Sequence, residues 1–168
     1  MLQDISDFSE LGVDSFVICA LTTESTLDLP ILRTLIEACH GYEVTLHRAF
    51  DQVGDQELAL NQAIDLGFHR ILTSGGRSTV IEGLEQLALL SSKANGRIRI
   101  VPGGGISPSN LQAVLASLKP SAVHASCRST ANESFDRCAQ LGSMGNGRTS
   151  ATDLATVLAF AAIIGDRL

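Results

Sequence analysis

Five short apolar runs alternate with segments of helical period along this chain, and that alternation restricts its fold more than any other feature. The runs are SFVICAL (15–21), EVTLHRAF (43–50), RILTSGG (70–76), IRIVPGGG (98–105) and AVHASC (122–127). A short amphipathic helix over 5–11 stops at Gly12 and leads into the first run. LPILRTLIEAC, DQELALNQAIDLG, VIEGLEQLALLSSKA and SPSNLQAVLASL separate the runs, and TDLATVLAFAAII closes the series. Punctuation agrees with this division. Asp28-Leu29-Pro30 opens one helix, Gly41 and Gly67 close two, and Ser107 or Ser109 caps another. A polar, glycine-rich loop is predicted over 128–148.

Strands joined by crossover helices run parallel. An open doubly wound sheet and an arc of a (β/α)8 barrel both satisfy that rule, and the strand ends discriminate between them. An open sheet concentrates its chemistry at one switch point, whereas a barrel gathers all its strand ends at one mouth. Here every run from the second onward finishes in polar or glycine residues: HRAFD, LTSGG, PGGGIS and HASCRS. The predicted fold class is therefore α/β, a partial (β/α)8 TIM barrel of five parallel strands, as a single domain over 1–168.

Composition narrows the setting. A chain of 168 residues, 45% apolar and 18% charged, builds a sizeable core. A net charge of −6 argues against nucleic acid as a partner. No run reaches the length of a membrane span, and the acidic opening MLQDISDFSE lacks the features of a signal peptide, so a cytoplasmic location is expected. Cys19, Cys39, Cys127 and Cys138 are scattered without a CxxC pair, which suits reduced thiols.

Three glycines, Gly103, Gly104 and Gly105, follow an apolar strand and precede a helix. Exposed amides and the positive end of the helix dipole then face the same point, an arrangement that binds phosphate or carboxylate. The loop is neither GxGxxG nor a Walker motif, so no nucleotide cofactor is indicated. Ser74 and Gly75 offer a second set of donors. His124 and Ser126 stand two apart on one side of their strand, beside the triple glycine. His47 shares a face with Thr45, while Arg48 and Asp51 fall at the rim, where they pair with each other or hold an oxyanion. The anion-binding candidates are thus Ser74, Gly75, Gly103, Gly104, Gly105 and Ser126, with His47, Arg48, Asp51 and His124 as candidates for chemistry on a small phosphorylated or carboxylated metabolite. Lys93 and Lys119 lie near helix ends, away from a Schiff-base position, and no reaction class emerges.

VTLHRAFD, RILTSGG, GGGISPSNL and VHAS, in this order, resemble the CutC family of copper homeostasis proteins. The likeness extends upstream through FSELGVDSFVICAL and LDLPILRTLIEAC. It implies a cytoplasmic barrel protein linked to copper tolerance and copper binding, in which these five strands correspond to strands 4–8 and the first three have no counterpart. If copper is bound, Cys19 and Cys127 are the thiol candidates, with His47 and His124 assisting. Strands SFVICAL and AVHASC would each keep an unpaired edge, which predicts self-association.

Overall fold

The computed structural model describes residues 1–128 and 151–165. In chain order the elements are α1 (Leu2–Glu10), β1 (Ser15–Ile18), α2 (Leu29–Ala38), β2 (Glu43–Leu46), a 3-10 helix (Arg48–Gln52), α3 (Gln56–Leu66), β3 (Arg70–Thr73), α4 (Leu84–Ala94), β4 (Arg99–Pro102), α5 (Pro108–Leu118) and α6 (Leu154–Gly165). The strands form one parallel sheet in the order β1-β2-β3-β4. Spatial order equals chain order, so the sheet has no switch point and takes the course of a barrel arc.

The helices form where the caps permit. Asp28 accepts the Ile31 amide at 3.1 Å, and Asp55 accepts those of Glu57 and Leu58 at 3.1 and 2.9 Å. Gly67 ends α3 in the left-handed conformation, which a residue with a side chain adopts reluctantly. Asn110 Oδ1 accepts the Ser107 amide at 2.9 Å at the head of α5, making Ser107 the cap. α4 begins four residues later than the sequence suggests. At that point Gly83 meets the Ser74 carbonyl so closely that a Cβ would stand 1.9 Å from the oxygen.

Register separates the two faces of the sheet. Ile18, Leu46, Ile71 and Ile100 are partners across all four strands, and all are buried. They pack on Leu32 and Leu35 of α2, Leu60 and Ala63 of α3, Leu87 and Leu90 of α4, and Leu111 and Val114 of α5. Each such burial contributes roughly 1.5–3 kcal/mol. One residue along, the row Val17, Thr45, Arg70 and Arg99 points to the other face. Glu43 lies on that face too and accepts from Arg70 Nη2 and, at 2.5 Å, from Arg99 Nη2, so one carboxylate ties the starts of three strands.

The strands are shorter than the apolar runs. EVTLHRAF leaves the sheet at His47, whose Nδ1 accepts the Ala49 amide at 3.0 Å and starts the 3-10 helix. The segment expected as a fifth strand contributes a single parallel bridge, Gly103 to His124, with the His124 amide donating to the Pro102 carbonyl at 2.9 Å. Pro102 has no amide to return, and Cys127 at φ +49° turns the backbone out of the extended region. The sheet thus has four strands among the described residues, not five. The loop predicted over 128–148 falls, beyond Arg128, outside the described residues, as does Cys138.

Candidate functional site

The ends of β2, β3 and β4 meet around one carboxylate. Asp51 sits in the 3-10 helix that follows β2, and the turn after β3 wraps around it. Thr73 Oγ1 donates to Asp51 Oδ1 at 2.5 Å, and the amides of Ser74 and Gly76 donate at 3.0 Å each. Ser74 Oγ lies 3.0 Å from Oδ2, and Arg48 Nε donates to the same oxygen at 2.8 Å. Burial alone would raise the Asp51 pKa. The bonds from Thr73, Arg48, Gly76 and Ser74 outweigh burial and hold the carboxyl below its ordinary value.

Arg48 is fixed in turn. Its Nη2 donates to Ser74 Oγ at 2.7 Å, and Nη1 lies against Gly104, where an added Cβ would come within 2.8 Å. Gly104 holds φ +124°, so both conformation and space call for glycine. Among the described residues, the amides of Gly104 and Gly105 have no protein acceptor. The guanidinium, 40% exposed, stands beside them.

These contacts correct the donor set read from sequence. The Ser74 amide serves Asp51, the Ser74 hydroxyl donates to the Arg77 carbonyl at 2.5 Å, the Gly75 amide serves Thr73 Oγ1 at 2.9 Å, and the Gly103 amide serves the Thr73 carbonyl at 3.0 Å. Ser74 is wholly buried. The anion for which the LTSGG loop is built is therefore internal: it is Asp51. Gly104 and Gly105 keep free amides, and Arg48 joins them.

The remaining candidates are more dispersed. His47 is half-buried and caps the 3-10 helix through Nδ1. His124 is exposed beside Gly103, with its Cβ 3.2 Å from the position a Gly103 Cβ would take. Ser126 is also exposed, and its carbonyl accepts from Thr152 Oγ1 at 3.4 Å. Cys19, just past β1, is half-buried, and burial pushes its thiol up to about 11 against the opposing hydrogen bond to the Ala20 backbone. Cys127 is half-buried on the core side. Among the described residues no group of three or more His, Cys, Asp and Glu side chains is placed to hold a metal ion, so Cys19, Cys127, His47 and His124 do not form such a cluster. No helix among them is long and apolar enough to cross a membrane. Sequence reading missed Thr79, whose methyl backs Gly105, and Gly83, which seats α4 on Ser74. Thr79 looks like an ordinary loop residue in the sequence, and Gly83 falls inside the predicted helix VIEGLEQLALLSSKA.

Fold and site together define a parallel α/β chain of barrel type, with an arginine–carboxylate hub and an amide-lined loop at its strand ends. The chain belongs to the CutC family, whose profile matches residues 1–129. A CutC family protein of Agrobacterium fabrum is 44% identical over 158 residues, covering 94% of this chain and 62% of the relative. The human protein named copper homeostasis protein cutC homolog is 42% identical over 130 residues, covering 77% of this chain and 48% of the relative. This chain therefore spans about half to two thirds of the length of such relatives. The crystal structure of a copper homeostasis protein CutC from Streptococcus agalactiae superposes with a TM-score of 0.70 at 31% identity, over 73% of this chain and 60% of that one. An aldolase at 17% identity, with a TM-score of 0.58 over 73% of this chain and 58% of its own, shares the fold alone.

The hub gives a pH signature. Because the folded carboxyl titrates below the unfolded one, its stabilisation is complete well above 3.8 and is lost as pH falls through the lower folded value. Asp51→Asn should lower stability by about 3 kcal/mol at neutral pH, since its donors lose a charged acceptor. The difference from wild type should shrink as pH falls below 3.8. Urea unfolding of both proteins across this range measures it, and a constant difference would contradict the assignment.

Proposed function

We propose that this chain acts in copper homeostasis, the role carried by its relatives' names, with copper(I) as cargo. The observation behind this reading is that the stretch matching the family, 1–129, contains every residue of the Asp51 hub. Copper(I) favours soft thiolates, and Cys19 and Cys127 are the described thiols that follow strand segments. The Cys19 thiol is protonated near neutrality, so copper must displace a proton, and its binding strengthens as pH rises. With no three-ligand cluster among the described residues, affinity is modest. Competition with a chromophoric copper(I) chelator should show weak binding that disappears when Cys19 and Cys127 are both changed to Ser. Tight stoichiometric binding in that double variant would overturn the ligand choice.

A second reading has its own support: Arg48 Nη1 beside the unpartnered amides of Gly104 and Gly105 suits one small phosphorylated or carboxylated metabolite. Calorimetry with inorganic phosphate should detect binding. Gly104→Val should weaken it at least about tenfold, because the new side chain meets the guanidinium and resists the positive φ. Unchanged binding in that variant would sink the site.

Self-association is the third element of the proposal. The outer edge of β1 pairs with no strand among the described residues, and Val17 is 58% exposed beside it. Light scattering after size exclusion should find oligomers, which Val17→Lys shifts toward monomer. A strictly monomeric wild type would refute the edge contact.

A further inference from the structure

The arc has two open ends, and each presents an apolar helix face. At the β1 end no strand pairs with the outer edge among the described residues. Beside it Phe8 and Leu11 of α1, three apart and so on one flank, are 51% and 78% exposed. At the other end no strand lies beyond the Gly103–His124 bridge among the described residues. There α6 lies beside α5 and gives Phe160 and Ile163 to the core, yet Leu154, Val157 and Leu158, spaced as one helical stripe, stay exposed. α6 carries no charged residue from Leu154 to Gly165, and Phe160 alone of it is fully buried. A helix that is apolar all round belongs inside a protein, so α6 lacks a cover on its free side. Single exposed apolar residues are ordinary on a surface; two patches confined to the two ends of one open sheet are not.

The relatives give the size of what fits between these ends. The 158 matched residues are 62% of the Agrobacterium fabrum protein, so about 100 of its residues lie outside the match, and a barrel of eight strand–helix units at about 250 residues uses about 30 per unit. About 100 residues therefore make three units. Strand positions give the same count: four strands and the His124 segment fill five of eight, and three remain. A second copy of this chain fits the gap poorly. Two arcs would bring ten strand positions to a barrel of eight, and α1 of one copy would contend with α6 of the other for a single groove. One piece of three strands with the two helices between them gives α1 and α6 a neighbour each.

We propose that the open side of the arc docks a second polypeptide of three parallel strands and two crossover helices, which pairs with the outer edge of β1 and covers Phe8 and Leu11 at one end and the Leu154–Leu158 stripe at the other. This docking uses the edge assigned above to self-association, so the two contacts exclude each other. The probe is the segment of the Agrobacterium fabrum protein that this chain does not match, joined ahead of Met1 by a protease-cleavable linker and cut free after folding. Size exclusion with light scattering should find one copy of each piece still together after the cut. The β1 amides directed away from β2 should gain protection from hydrogen exchange relative to this chain alone. The complex should also unfold about 5–10 °C above this chain alone. Phe8→Glu and Leu158→Glu change exposed positions, so each variant should fold alone as wild type does, while each weakens the complex at least about tenfold by setting a charge in an apolar contact. The proposal is overturned if the linked protein yields no soluble folded species, if the pieces separate after the cut, if the β1 amides exchange as before, or if both variants hold the probe like wild type. Oligomers of this chain that persist beside an equimolar amount of the probe would assign the edge to a second copy and overturn the proposal equally.

Discussion

A half-buried carboxylate that lost its donors would cost several kcal/mol, and the strand ends of this chain are arranged to prevent that. Asp51 collects Thr73 from the end of β3 and Ser74 and Gly76 from the turn after it, and shares Arg48 with the Ser74 hydroxyl. Arg48 then lies on Gly104, past the end of β4. Three successive strand ends are thus held in one position by hydrogen bonds around a single charge. The local backbone follows from it: EVTLHRAF leaves the sheet at His47 so that the 3-10 helix can carry Asp51 to the turn, and α4 starts at Gly83 because only a residue without a side chain fits on the Ser74 carbonyl.

Much of this was legible in the sequence where the cause is local. Asp28 and Gly67 mark helix ends because a cap depends on a few neighbouring residues. Parallel order followed from alternation. The rule that barrel strand ends converge put His47, His124, Ser74 and Gly103–Gly105 at one mouth with Arg48 and Asp51 at its rim, whereas the contacts join Arg48, Asp51, Ser74 and Gly104 and leave His124 exposed. The direction of each hydrogen bond was not legible. Nothing in LTSGG says whether its donors await a ligand or a carboxylate of the same chain, because that depends on where the 3-10 helix sets Asp51. The missing fifth strand depended on a proline in the neighbouring strand and on the left-handed conformation of Cys127.

The two ends of the sheet carry opposite arrangements of the same groups. At the strand starts one carboxylate, Glu43, serves two guanidiniums, and the hydrogen bond from Arg99 foremost holds it below its ordinary value. At the strand ends one guanidinium, Arg48, serves a carboxylate that is already saturated by uncharged donors. The first arrangement spends its charges on each other. The second leaves Arg48 Nη1 over, next to two amides that no group among the described residues takes.

Sequential strand order has a kinetic consequence. Each strand pairs with the strand that precedes or follows it in the chain, so no pairing waits for a distant segment to arrive. Assembly can begin at any adjacent pair and spread in both directions, as in stacked repeats. Arg48 against Gly104 and Arg99 with Glu43 are contacts that skip a strand, and they can close only after the neighbouring units are in place. The chain thereby assembles its scaffold from short loops first and completes its charged hub last.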